Sequence, residues 1–272
     1  MLDTDAKLDL QQFFHELSYS RDSVLLLDYD GTLAPFCLNR DEAHPYPGVP
    51  MLLNEIINTG HSRVVVISGR PAGEIVPLLG VVPHPEIWGV HGLERLNPDG
   101  SREMTRLDEV SIDALAEADS WLGDLGLQHL AEHKPGSVAV HWRGLHSGEQ
   151  SDICKIVRLR WSPVAHRAGM ILQEFDGGIE MRAPNCNKAN AVRTVLSGLE
   201  PDTPVAYLGD DETDEDAFLA LSGRGLRVLV RQEWRQTRAD LWLQPPAELQ
   251  VFLCDWLDAC QTARRRTLPR AC

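Results

Sequence analysis

The sequence predicts an α/β protein, a parallel doubly wound sheet interrupted by a second, inserted α/β unit. Three observations carry that expectation. Continuous apolar runs, Val24–Leu27 and Val64–Ile67 among them, read as strands buried on both faces. These runs alternate with helical patterns, as parallel winding requires. Between residues 101 and 183 the order changes to helix, two strands, helix, two strands.

The elements follow in order. Leu8, Leu10, Phe13, Phe14 and Leu17 recur at helical spacing, giving an amphipathic helix over 5–18 that packs on the core. The Val24 strand ends in Asp28, and 33–50, rich in Pro, Asn, Asp and Gly, is loop. A helix over 49–59 stops at Gly60. A second strand, 63–67, leads into Ser68-Gly69-Arg70-Pro71, with Pro71 suited to a helix's first turn. A third strand, 87–90, runs into His91-Gly92-Leu93-Glu94.

The insert holds a helix over 108–125 and strands at 128–133 and 137–142 around Pro135-Gly136. A helix over 148–160 and strands at 170–175 and 178–182 flanking Asp176-Gly177-Gly178, a hairpin signal, complete it. The winding then resumes with a helix over 187–197, a strand ending at Gly209, strands at 226–230 and 240–243, and a helix over 246–260. The tail carrying Arg264-Arg265-Arg266 is expected to be disordered. The expected domains are a catalytic core of 1–100 with 184–272, and a second domain of 101–183.

Composition narrows the function classes. The chain has 272 residues, 43% apolar and 24% charged, ordinary for a globular protein with a real core. A net charge of -14 argues against general binding of nucleic acid or anionic membrane. An anionic substrate would then need local cations, a metal, or both. The six cysteines are scattered without Cys-x-x-Cys, against zinc and against a disulfide framework, so reduced thiols in a cytoplasm are expected. No apolar run reaches membrane-spanning length, and no basic-then-apolar leader opens the chain.

Chemistry is expected where the strands end, because ligands of open α/β sheets bind outside their carboxyl ends. Asp28-Tyr29-Asp30-Gly31-Thr32 stands there, although Asp and Gly also make ordinary turns. Ser68, between a strand and a helix, can bind phosphate with the helix amides or simply cap the helix. Asp28 and Asp210, each ending its own strand, are a suitable pair for Mg²⁺, which prefers oxygen ligands.

With phosphate between that metal, Ser68 and a lysine, Asp28 can act as nucleophile and form an aspartyl-phosphate. The cation offsets repulsion between carboxylate and phosphate. Asp30, two residues on, is placed to protonate the leaving oxygen. It must then hold a proton at neutral pH, so burial and neighbouring negative charge are expected around it. Asp211 and Asp214 are further metal candidates. Thr213 to Asp216 also suit an N-cap and first-turn acids, and Glu215 and Asp216 are left to the helix. Lys188 alone reads as a solvated helix residue.

Together the stretches Leu27-Asp28-Tyr29-Asp30-Gly31-Thr32-Leu33-Ala34-Pro35, Ile67-Ser68-Gly69-Arg70, Gly89-Val90-His91-Gly92-Leu93-Glu94, Glu180-Met181-Arg182, Lys188 and Leu208-Gly209-Asp210-Asp211-Glu212-Thr213-Asp214 resemble the trehalose-6-phosphate phosphatase family of the haloacid-dehalogenase superfamily. The resemblance runs over roughly residues 22–260. It implies a Rossmann-like core with a mobile α/β cap that closes on the substrate. It further implies Asp28 as nucleophile, Asp30 as acid and base, and Ser68 and Lys188 on the phosphate. Mg²⁺ would be held by Asp28, the Asp30 carbonyl and Asp210.

Arg70 and His91 fall in the same motifs as substrate-binding candidates. Glu132-His133-Lys134 and His141-Trp142-Arg143 resemble the family's sugar-recognising stretch, with Glu180 as a further contact; alternating polar residues on strands also simply face solvent. Ala183 and Ala189 replace the family's usual Pro and Gly, which bears on the substrate more than on the reaction type.

The implied activity is Mg²⁺-dependent hydrolysis of a disaccharide phosphate, trehalose 6-phosphate foremost, by a cytoplasmic monomer. Its partner is a small-molecule sugar phosphate, not nucleic acid or membrane. A phosphatase for another glycosyl phosphate, a sugar phosphomutase and a non-catalytic sugar-phosphate sensor are the alternatives.

Overall fold

A computed structural model describes residues 4–37, 39–175, 177–184 and 186–267. The chain divides into two compact units, Met1–Glu103 with Asn187–Cys272, and Met104–Cys186.

The first unit contains α1 (Thr4–Leu17), β1 (Ser23–Leu27), α2 (Val49–Asn58), β2 (Ser62–Ile67), α3 (Ala72–Leu79), β3 (Glu86–Gly89), β4 (Glu94–Leu96) and, at its edge, β5 (Arg102–Met104). The second contains α4 (Glu109–Asp124), β6 (Ala131–Lys134), β7 (Ser137–His141), α5 (Ser147–Ala168), β8 (Ile171–Phe175) and β9 (Gly178–Arg182). The first then resumes with α6 (Lys188–Ser197), β10 (Val205–Gly209), α7 (Glu215–Leu221), β11 (Leu226–Val230), β12 (Leu241–Leu243) and α8 (Ala247–Thr267).

The large sheet runs β12-β11-β10-β1-β2-β3-β4-β5 among the described residues. Its β12-to-β3 stretch is parallel, with Leu27 opposite Leu208 on one side and Val66 on the other. The apolar runs alternate between two cores, as a pleated strand must. Leu25 and Leu27 join Val66 and Leu208 against Leu53 and Ile56 of α2 and Phe252 and Trp256 of α8. Val24 and Leu26 join Val65 and Tyr207 against Val192 of α6 and Phe218 of α7. Each fully buried Leu, Ile or Phe contributes about 1.5–3 kcal/mol. That double covering is why β1 carries no polar residue between Ser23 and Asp28.

Several expectations are corrected. β4 pairs antiparallel with β3, extending the sheet beyond the parallel winding. α5 continues past residue 160 and through Pro163, because Trp161, Val164 and Ala165 prolong its buried face. A 3-10 turn at Gln128–Leu130 delays the strand expected at 128. Arg264–Arg266 are ordered as the last turn of α8, where cations complement the exposed carbonyls. Arg266 donates to the Ser18 carbonyl (3.2 Å) and stacks on Tyr19. Asp176 of the hairpin signal and Cys272 of the tail lie outside the described residues.

The second unit's sheet has the order β6-β7-β9-β8 and is antiparallel. Val138, Val140, Ile179 and Met181 are buried on the face covered by α4 and α5. Trp161 donates its indole N–H to the Ala118 carbonyl (3.2 Å), tying the two helices together. No described helix is long and apolar enough to cross a membrane, and the described cysteines are free.

Candidate active site

The carboxyl ends of the adjacent strands β10, β1 and β2 deliver Asp210, Asp28 and Ser68. Asp28 still belongs to the ladder, its N–H donating to the Leu208 carbonyl (2.9 Å). The chain then turns through Gly31, whose φ is +86°. A Cβ there would lie 2.2 Å from Asp210 Oδ2, so only glycine lets the two acidic loops approach. Thr32 Oγ1 lies between them, 3.2 Å from Asp28 Oδ2 and 3.5 Å from Asp210 Oδ1.

Lys188 is not a solvated helix residue. It opens α6 behind an Asn187 cap, and its Nζ donates to Asp28 Oδ1 (2.6 Å) and Asp214 Oδ1 (2.7 Å), all three side chains being buried. Asp28, Asp210 and Asp214 can each aim one oxygen within 4.8 Å of the others. Three carboxylates thus share one ammonium.

Burial raises the Asp28 carboxyl to about 7 although Lys188 opposes it. Burial, then the charges of Asp28 and Asp214, raises Asp210 to about 10. Burial would lower Lys188, but Asp214 and Asp28 more than offset it and push its pKa up. This excess of buried negative charge, presented on hard oxygen donors, fits a divalent cation such as Mg²⁺.

The acidic loop after β10 divides differently from the sequence expectation. Asp214 Oδ1 accepts from Lys188 and the Tyr207 hydroxyl (2.6 Å), while Oδ2 accepts from the Asp210 and Asp211 amides (3.0 Å each). Both oxygens therefore have two donors, the capacity of a carboxylate. As a metal ligand Asp214 would have to give up bonds that hold Lys188 and the loop. Gly209 is matched to it: a Cβ there would lie 2.4 Å from Asp214 Cγ. Asp211 is exposed and caps the 3-10 turn Glu212–Asp214 by accepting from the Glu212 amide (2.7 Å), outside the carboxylate cluster. The cap is Asp211 and not Thr213; Asp28, Asp210 and Asp214 are close enough to share an ion, and Asp214 is the one whose oxygens already have donors.

Asp30 is not surrounded as expected. Its side chain is 28% exposed, and its immediate charged neighbour is a cation, Arg70, which donates Nε to Oδ2 (2.6 Å) and Nη2 to Oδ1 (2.5 Å). Neither deep burial nor an adjoining carboxylate encloses it. Arg70, expected on the substrate, is engaged by Asp30 and by the Arg40 carbonyl (2.6 Å).

Ser68 is 1% exposed and accepts from the Arg70 amide (3.1 Å). It is not the cap of α3, which starts at Ala72 behind Pro71. The first amide of α3 donates to Glu94 Oε2 (2.8 Å), so that amide is already occupied by a carboxylate. His91 follows Val90 in left-handed backbone (φ 53° and 50°), its amide donates to the Ser68 carbonyl (2.9 Å), and its ring packs against Gly69. Two consecutive non-glycine residues in that region store strain typical of constrained sites. A cleft of about 440 Å³ lined by Gly31, Phe36, Tyr46 and Arg231 opens at Asp210.

The second unit gathers its own polar cluster. Cross-strand partners share a face, and Ala139 lies opposite both Glu132 and Glu180, while Ser137 lies opposite Lys134. Glu132, Lys134, His141 and Glu180 therefore occupy the face away from α4 and α5. Glu132 Oε2 lies 3.1 Å from Lys134 Nζ and 2.8 Å from His141 Nε2. Partial burial would raise Glu132, but the Lys134 charge and the His141 hydrogen bond hold it below its usual range. Ser137 Oγ donates to Glu180 Oε1 (2.8 Å). Arg143 lies beyond β7 and packs against Gly177 instead of extending the strand face.

Sequence reasoning overlooked Thr32, Tyr207 and the Arg40 carbonyl. Thr32 was visible inside the Asp28 motif. Tyr207 offers no signal, since a tyrosine in a buried strand reads as core.

A family model described as trehalose-phosphatase matches residues 26–239. The trehalose-phosphate phosphatase of Mycobacterium marinum is 31% identical over 243 residues, covering 84% of this chain and 60% of the relative. That of Mycobacterium avium is 33% identical over 249 residues, covering 85% and 61%. The chain thus spans about three fifths of the length of these curated relatives. Among solved structures, Aspergillus fumigatus trehalose-6-phosphate phosphatase superposes with a TM-score of 0.69 at 22% identity, covering 94% of this chain and 97% of that one. A haloalkanoate (HAD) superfamily phosphatase from Bacteroides thetaiotaomicron gives 0.59 at 15%, covering 86% and 95%. At those identities the shared feature is the fold, the HAD-type α/β sheet described above. The family match begins in β1, runs through the whole of the second unit and continues beyond β11, so the chain belongs to the trehalose-phosphatase family.

Proposed function

We propose that this protein is a Mg²⁺-dependent phosphatase that hydrolyses trehalose 6-phosphate to trehalose and phosphate through an aspartyl-phosphate on Asp28. The observation that carries this reading is the buried set of Asp28, Asp210 and Lys188, which holds a nucleophile, a second oxygen donor and a cation together. Family membership supports the substrate class.

In the reading, Asp28 Oδ bonds to phosphorus as the bond from phosphorus to the sugar oxygen breaks, and that oxygen takes a proton from Asp30. Water then attacks the acyl phosphate and gives its proton to Asp30, and phosphate leaves Asp28. Lys188, with Ser68, holds the phosphate oxygens, and Asp214 with Tyr207 keeps Lys188 aimed. Asp28, Asp210 and the Asp30 carbonyl would hold the cation, which neutralises charge between carboxylate and phosphate.

The second unit serves as a cap domain whose Glu132, Lys134, His141 and Glu180 recognise sugar hydroxyls, with Arg143 as a lesser contact. Scattered cysteines without a disulfide framework support a cytoplasmic setting. Phosphate release across trehalose 6-phosphate, glucosylglycerol phosphate, glucosyl-phosphoglycerate and glucose 6-phosphate, compared by kcat/KM, tests the substrate. Preference for a different glycosyl phosphate would reassign it, and phosphate moved within the sugar without release would make the protein a mutase.

A further inference from the structure

Arg70 is 2% exposed and held at every level. Its amide donates to Ser68 Oγ (3.1 Å) and its carbonyl accepts from the Val90 amide (2.9 Å). Its guanidinium forks onto both oxygens of Asp30 through Nε and Nη2, and Nη1 holds the Arg40 carbonyl (2.6 Å). Cζ lies 5.7 Å from the centre of the Tyr29 ring, and the Tyr29 hydroxyl in turn donates to the Ala43 carbonyl (2.7 Å). Arg70 and Tyr29 thereby fasten the segment Arg40–Ala43 to the loop carrying Asp28 and Asp30.

A bidentate fork sets the plane of the carboxylate it holds, which a single hydrogen bond or a point charge does not. It also commits the guanidinium. To bind a phosphate through the same edge, Arg70 would have to release Asp30. In the phosphatase reading the phosphate already has a cation in Lys188, which opens α6 and reaches Asp28 Oδ1 (2.6 Å) from a different element.

We propose that Arg70 is a positioning residue that orients the Asp30 carboxyl for proton transfer to the leaving oxygen, and is not a ligand of the substrate phosphate. The inference rests on the phosphatase reading, in which Asp30 supplies that proton. Arg70 then affects one event: the proton moving from Asp30 to the sugar oxygen as the phosphorus–oxygen bond breaks and the Asp28–phosphorus bond forms. A sugar alkoxide needs the proton. A nitrophenolate leaves without it.

The test is first-turnover product release by rapid mixing of the full-length protein with Mg²⁺, comparing trehalose 6-phosphate with p-nitrophenyl phosphate. Asp30→Asn should slow sugar release by about 100-fold or more while the p-nitrophenol burst stays within about 3-fold. Arg70→Met should slow sugar release by about 10- to 100-fold with the p-nitrophenol burst and both KM values again within about 3-fold. Arg70→Lys, which keeps charge without the fork, should recover only part of the loss, and it carries the test if Arg70→Met does not fold. Equal slowing of both substrates or a rise in both KM values would make Arg70 a phosphate ligand and overturn the proposal. Unchanged rates would overturn it too. If Asp30→Asn itself slows both bursts alike, the acid assignment fails instead, a result read on Asp30 alone.

Discussion

The two polar clusters both combine carboxylates with basic side chains, but under opposite electrostatic conditions. In the first unit Asp28, Asp210, Asp214 and Lys188 are all at most 4% exposed, three acids to one base. In the second, Glu132, Lys134 and His141 have side chains 26–41% exposed, and one carboxylate is matched by two basic groups. Burial leaves the first cluster short of positive charge, with Asp28 raised to about 7 and Asp210 to about 10. Solvent and local partners leave the second balanced, with Glu132 lowered. A cluster of the first kind is suited to bond making with a cation and a phosphate. One of the second kind is suited to exchanging hydrogen bonds with neutral hydroxyls. On the proposed function, reaction type and substrate choice are written in different dielectric settings.

The largest contrast should come from the nucleophile. Asp28→Asn is expected to lower kcat by at least about 10³-fold. Its urea midpoint should not fall, since the substitution removes one of three crowded carboxylates. Retained turnover would break the assignment.

Next come the two lysines. Lys188→Met leaves Asp28 and Asp214 buried without their cation and should cost about 3–5 kcal/mol, whereas Lys134→Met, at a solvent-exposed pair, should cost under about 1 kcal/mol. Similar losses in urea unfolding would erase the distinction between the clusters.

The pH dependence of stability sharpens it further. Carboxyls raised in the fold contribute stability that is full below their unfolded value near 4 and is lost as pH climbs through about 7 for Asp28 and about 10 for Asp210. Metal-free protein should thus lose urea resistance between pH 5 and 8, and Mg²⁺ should flatten that loss. Glu132 carries the opposite sign: its contribution is present above the unfolded value and disappears as pH falls below it. A metal-free midpoint that rises over pH 5–8 would contradict the crowding of the first cluster.

Two smaller effects follow. Glu132→Gln should lower kcat/KM for trehalose 6-phosphate by about 10-fold while leaving p-nitrophenyl phosphate hydrolysis unaltered. Equal losses on both would move Glu132 out of sugar recognition. Asp211→Ala should remove a cap, costing about 1 kcal/mol, and leave the Mg²⁺ dependence as it was. A shifted Mg²⁺ requirement would return Asp211 to the metal.

Position along the chain was legible in the sequence, and pairing was not. The apolar run Val24–Leu27 announces a doubly covered strand, so Asp28 at its end, Asp210 at the end of β10 and the helix opened by Lys188 could all be placed from local pattern. The αββαββ order of the second unit was legible for the same reason. What decides a carboxylate's role is which donors reach it across the fold. Asp214 is saturated by Tyr207, Lys188 and two amides, and Asp30 is gripped by Arg70 from forty positions away. The two amides lie three and four residues back and make a local cap, but the Lys188 and Arg70 partners lie 26 and 40 positions away, and no spacing encodes those encounters. The ordered end of α8 escaped for a related reason, being held by Ser18 and Tyr19, distant in sequence, whereas β4 pairs with β3 just before it and escaped because a three-residue strand is too short to show a period.

The most direct measurement traps the covalent step. Protein turning over trehalose 6-phosphate with Mg²⁺ is acid-quenched, treated with borohydride to reduce an acyl phosphate to the alcohol, digested and read by peptide mass spectrometry. Conversion of Asp28 to homoserine, dependent on substrate and absent in Asp28→Asn, is the predicted result. Phosphate release proceeding with Asp28 unmodified, or with the label on another carboxylate, would contradict the account.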